Sequence, residues 1–194
     1  MIRSLRGRLA ALDAEGAVVE VGGVGLLVRI SPTTARTLPR PGSEVALETH
    51  LVVREDALDL YGFSGRAERE LFEAFLSVGG VGPRLALALC GLDAPDALRL
   101  ALLRGDAARL QAAPGVGKRT AERVVLELRD RLAPANGGPP EGRAGPADVY
   151  AAAREGLIGL GFRADEIDAA LADAPDTADP EDLLRHGLSR LRPR

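Results

Sequence analysis

With 194 residues, 46% of them apolar, the chain can bury one or two cores, and its net charge of −3 argues against a uniformly basic coat for nucleic acid. That average hides opposite regional balances of −1 over residues 1–64, +2 over 65–133 and −4 over 134–194, so only the middle third is basic. The one cysteine, Cys90, excludes an intramolecular disulfide, and no apolar run approaches the roughly 20 residues that span a bilayer, which together predict a soluble protein of the reducing cytoplasm.

Residues 1–64 alternate as strands do. "AVVEVGGVGLLVRI" sets two apolar runs around Gly22 and Gly23, a hairpin signal, and "EVALETHLVVRED" with "ALDLYGF" makes a second pair. Together with the opening segment these are about five short strands, interrupted near "SPTTARTL", which predicts a small β-barrel of the OB-fold kind.

From residue 65 the period becomes helical, with Leu71, Phe72, Phe75 and Leu76 on one face and Glu68, Arg69, Glu70 and Glu73 mostly on the other. Further helices are predicted near 83–90, 95–103, 106–112 and 118–132, the last turning Val124, Val125, Leu128 and Leu132 inward and ending before Pro134. Residues 134–146, "PANGGPPEGRAGP", hold no apolar side chain larger than alanine and read as a linker. Helical patterns near 147–159, 164–173 and 179–191 then predict a small three-helix domain.

"PGVGKRTAERV" (114–124) carries the only lysine, Lys118, after a glycine-rich turn. A nucleotide-binding P-loop needs G-x-x-x-x-G-K-[ST], but Ala112 stands at its first glycine and Arg119 at its hydroxyl, and no strand precedes it. An ATP site is therefore excluded, and phosphate binding is not. "VGGVGPRLALAL" (78–89) repeats "APGVGKRTAERV" (113–124) at an offset of 35 residues, each a G-V-G turn followed by a basic residue and a helix.

Backbone amides at a helix start, backed by the helix dipole, attract anions, and glycine lets a phosphate come close. In a pair of helix-hairpin-helix motifs, Gly80, Gly82, Gly115 and Gly117 supply that approach, and Arg84, Lys118, Arg119 and Arg123 supply full charge. Such a unit holds the two backbones of a duplex across the minor groove, indifferent to base sequence. The simpler alternative is that the turns only join packed helices; their duplication with a following cation favours DNA.

His50 and His186 are far apart with no cysteine partner, and no Ser-His-Asp arrangement suggests itself, so neither metal, cofactor nor catalytic residue is expected. A helix-hairpin-helix nuclease would want a cluster of metal-binding carboxylates, and the acidic pair Glu55-Asp56 falls in a different domain. A glycosylase would want an aspartate soon after the second hairpin, whereas Asp130 lies far along that helix. A general duplex-binding adaptor needs no acidic pair and stays open.

"EVGGVG" (20–25), "LVVREDALDLYGF" (51–63), "GGVGPRLALAL" (79–89) and "PGVGKRTAER" (114–123), in this order, resemble the RuvA family, the Holliday-junction-binding subunits of the bacterial RuvAB branch-migration complex. The resemblance implies an OB-fold barrel over 1–64 that forms a tetramer core, a tandem helix-hairpin-helix domain over 65–133, a linker over 134–146 and a RuvB-binding three-helix domain, similar to ubiquitin-associated modules, over 147–194. It implies a homotetramer, alone or paired as an octamer, holding an open four-way junction and recruiting the RuvB hexameric ATPase, with the RuvC resolvase in the same complex. It also implies an acidic pin at Glu55 and Asp56, a phosphate contact at Arg54, and docking of RuvB through Leu157, Leu160 and Leu188. Hydrolysis of ATP would belong to RuvB, and this chain would have no catalytic role.

Overall fold

The computed structural model describes residues 2–132, 146–175 and 179–191. The linker expected at 134–146 lies outside the described residues apart from Pro146. The chain divides into two compact units, Met1–Pro95 with Leu110–Gly117, and Asp96–Arg109 with Lys118–Arg194.

The first unit opens with strands β1 (Ser4–Leu12), β2 (Ala17–Val21) and β3 (Val24–Ile30), a short helix α1 (Pro32–Thr37), and strands β4 (Glu44–Val53) and β5 (Leu58–Phe63). They close into a barrel of order β1-β2-β3-β5-β4, the expected OB-fold. Gly22 and Gly23 take φ of 57° and 85°, the paired positive values of a type I′ turn, and so pair Val21 with Val24 across the hairpin. Closure sets β5 parallel to β3, with Arg29 opposite Tyr61, while β4 and β5 pair antiparallel. Inward side chains, among them Leu9, Val19, Val28 and Leu47, fill the interior.

Helix α2 (Arg66–Leu76) seats on this barrel, its Phe72 ring lying 5.0 Å from Tyr61 and 4.9 Å from Phe63 between centroids. Its apolar stripe is the one the periodicity predicts, but its polar flank is not all exposed: Glu68 and Arg69 are buried. The barrel and α1 cover the side of the helix's first turns as well as its apolar face. A carboxylate can be buried there because donors surround it. Ser31 Oγ, Thr34 Oγ1 and Ser64 Oγ donate to Glu68 at 2.6, 2.7 and 3.0 Å, and Ser64 N at 3.2 Å. Arg69 donates to Glu48 at 3.0 Å and to Glu73 at 2.9 Å, and His50 Nδ1 meets Glu73 at 3.1 Å. Barrel and helix are thus joined by polar contacts as well as by rings. Helix α3 (Pro83–Cys90) follows, ending on the buried Cys90, whose thiol burial pushes well above its ordinary range.

The second unit holds helices α4 (Pro95–Arg104), α5 (Ala107–Leu110), α6 (Lys118–Leu132), α7 (Pro146–Gly159), α8 (Ala164–Leu171) and α9 (Pro180–Arg190), apart from the ends of α4 and α5 that fall in the first. Leu100 and Leu103 of α4 share one core with Tyr150 and Leu157 of α7, Ile167 and Leu171 of α8, and Leu183 of α9. Arg99 pairs with Asp148 at 3.0 Å, and Asp168 sits between Arg154, at 3.0 Å, and Arg129. Among the described residues no helix is long and apolar enough to cross a membrane.

Candidate nucleic-acid interface

The two G-V-G turns repeat in geometry as they do in sequence. Gly80 and Gly115 have φ of 84° and 83°, a left-handed conformation that costs glycine little and other residues much. The valines between the glycines, Val81 and Val116, are buried at 6% and 7% exposure and anchor each turn from below. Val81 N donates to Val78 O at 3.1 Å, and Val116 N to Ala113 O at 3.0 Å, so both turns are closed by the same i to i−3 bond.

The second glycines differ in purpose. Gly82 and Gly117 have ordinary φ, and a Cβ built on either would meet nothing within 4 Å. Neither the backbone conformation nor packing inside the chain requires glycine there. Helices α3 and α6 start on the next residue, Pro83 and Lys118, so each glycine stands immediately before a helix N-terminus.

Arg84, Lys118, Arg119 and Arg123 are all exposed. The two turns also stand together in the first unit: a Cβ on Gly115 would lie 3.3 Å from Leu85 Cδ1.

The acidic pair Glu55-Asp56 lies at the tip of the β4–β5 hairpin, exposed, in a turn closed by Arg54 N donating to Ala57 O at 2.8 Å. Arg54 itself is not directed to that tip. Its guanidinium donates to Asp59, which also accepts from Arg29 Nε at 3.0 Å. Hydrogen bonds from Arg29 and then Arg54 hold the Asp59 carboxyl below the usual carboxylate range. Asp59 and Arg29 are absent from the sequence-predicted set, and no local pattern could supply them: they are 30 residues apart and meet only because the barrel closes β3 against β5.

In the C-terminal helices the three leucines separate. Leu157 is fully buried and packs against Gly187, where a Cβ would stand 2.7 Å from its Cδ1. Leu160 and Leu188 are 62% and 43% exposed, with Ile158 also exposed. The "GLGF" segment forms a turn at Gly161, φ 91°, which returns Phe162 N to Leu157 O at 3.3 Å. His50 is engaged with Glu73 and His186 lies 3.8 Å from Asp173; among the described residues no three His, Cys, Asp or Glu gather to hold a metal.

The described geometry agrees with what the chain is similar to. Residues 1–62 match the RuvA N terminal domain, 72–130 the SAM-like helix-hairpin-helix tandem, and 148–192 the RuvA C-terminal domain. The Holliday junction branch migration complex subunit RuvA of Rubrobacter xylanophilus is 45% identical over 192 residues, covering 98% of each chain. The protein of the same description from Streptomyces avermitilis is 47% identical over 174 residues, 89% of this chain and 85% of that one, and the one from Chloroflexus aggregans is 43% identical over 97% of both. With an OB-fold barrel, paired helix-hairpin-helix turns and a terminal helical module in that order, the chain belongs to the RuvA family.

Proposed function

We propose that the chain binds four-way DNA junctions by structure rather than sequence and recruits the RuvB ATPase for branch migration in recombination and repair, acting in the cytoplasm as a homotetramer. As a RuvA-family member it is a non-catalytic subunit. The reading rests most on one observation: two turns of matching geometry, each with a glycine whose missing side chain serves nothing inside the chain. Phosphate fills that role, since amides at a helix start and a following cation are what it needs, and contacts limited to the backbone carry no sequence information.

In this reading residues 1–64 form the tetramer core and carry the pin, 65–133 grip the arms, 134–146 tether, and 147–194 engage RuvB, with RuvC joining the same complex. Arg84, Lys118, Arg119 and Arg123, with the glycine amides, meet backbone phosphates. Arg54 meets phosphate near the crossover. Glu55 and Asp56 repel phosphates at the centre, which favours separated strands over continuous duplex. RuvB docks on Leu160 and Leu188, with Leu157 supporting them from the core.

Lys118→Ala with Arg119→Ala tests the grip. Titrations across salt should weaken for every DNA sequence alike, with the salt slope reduced by roughly 0.9 per lost phosphate contact. A loss that depends on base sequence would contradict backbone-only recognition.

A further inference from the structure

We infer that Asp59 is a positioning residue that sets junction selectivity: with Arg29 it holds the Arg54 guanidinium at the base of the β4–β5 turn, leaving Glu55 and Asp56 their full charge at the tip. The inference deepens the pin reading above and rests on it.

Arg54, Glu55 and Asp56 are consecutive in one tight turn. An arginine beside two carboxylates is drawn to them, and a guanidinium folded over the tip would cancel half of the charge that repels DNA. Among the described residues no ion pair engages Glu55 or Asp56; Arg54 is bound to Asp59 instead.

The competitor is well placed to win. Asp59 is fixed in β5 opposite Val52, with 14% of its side chain exposed, whereas Glu55 and Asp56 are open to solvent. Less water around Asp59 screens its attraction for Arg54 less. Arg29, reaching across from the parallel strand β3, locks the carboxylate from the other side at 3.0 Å.

The result is a hairpin with a charge gradient along its length. Two guanidiniums and one carboxylate make the base net positive, and two uncompensated carboxylates make the tip negative. A strand passing the hairpin is attracted at the base and repelled at the tip, which a fully mixed cluster would not do. Selectivity for an open centre then depends on a residue that touches no DNA.

The test is a set of anisotropy titrations of the full chain against a synthetic four-way junction and a linear duplex of the same sequences. Asp59→Asn frees Arg54 to cover the tip and should lower the junction-to-duplex affinity ratio about threefold, the scale of one surface ion pair, mainly by tighter duplex binding. Asp59→Glu should keep the ratio near that of the parent chain. In an Arg54→Gln background Asp59→Asn should not lower the ratio further, because the cation that would cover the tip is gone. An unchanged ratio in Asp59→Asn, or an equal fall in the Arg54→Gln background, overturns the inference. Asp59→Ser serves the same comparison if the amide disturbs the strand pair. Glu55→Gln with Asp56→Asn separates the two levels: if the ratio moves there but not in Asp59→Asn, only the positioning role fails. If it moves in neither, the pin fails and the positioning role with it.

Discussion

Leu85, near the start of α3, stands against Gly115 in the turn that precedes α6, 3.3 Å from where a Cβ at 115 would lie. The two turns therefore support each other, and their glycines divide into those the fold needs and those it does not. Gly115→Ala forces a left-handed conformation on alanine and should cost about 1–2 kcal/mol of stability in a denaturant titration. Gly117→Ala meets nothing within 4 Å and should leave stability within about 0.5 kcal/mol while weakening DNA of any sequence. Intact binding by a well-folded Gly117→Ala chain would remove phosphate from this position.

The junction of barrel and α2 should show itself in stability. Glu68→Ala leaves the hydroxyls of Ser31, Thr34 and Ser64 without their acceptor and should cost about 3 kcal/mol. Burial alone would push the nearby Glu73 carboxyl up, but His50 and Arg69 beside it more than reverse this, and its pKa lies below the ordinary 4.5. A lowered carboxyl stabilises the fold above its unfolded pKa and loses that contribution as pH falls through the folded one. The melting temperature should accordingly drop below about pH 4.5. Glu73→Gln should melt lower at neutral pH and show a shallower acid decline; parallel curves for the two chains would mean Glu73 contributes nothing there.

For the C-terminal helices the leucines predict opposite phenotypes. Leu157→Ala removes a buried side chain and should destabilise by about 2–4 kcal/mol. Leu160→Ser with Leu188→Ser alters exposed positions and should leave melting unchanged while abolishing capture of purified RuvB. Undiminished capture by the double variant would move the docking surface elsewhere.

Much of this was legible before any coordinate. Alternation and Gly22-Gly23 located the strands and their hairpin because that signal is local, and the repeat at an offset of 35 located both G-V-G turns for the same reason. What was hidden depends on closure of the chain. Glu68 and Arg69 lie on the polar flank of an amphipathic helix, and only the barrel and α1 beside that flank bury them. Leu157 and Leu160 are three residues apart in an apolar stretch, and periodicity could not say which one Gly187 covers. The hold of Arg29 on Asp59 needs a parallel strand pair, β3 with β5, that only a closed barrel provides.

The central claim, selective grip on an open four-way junction, is tested most directly by competing an unlabelled linear duplex against a labelled synthetic junction of the same sequences for the full chain in a gel-shift titration. The account predicts that the duplex displaces the junction only at a large excess, and that the excess needed is the same for junctions of unrelated base sequence. Displacement at equal concentrations would reduce the chain to a general duplex binder and contradict it.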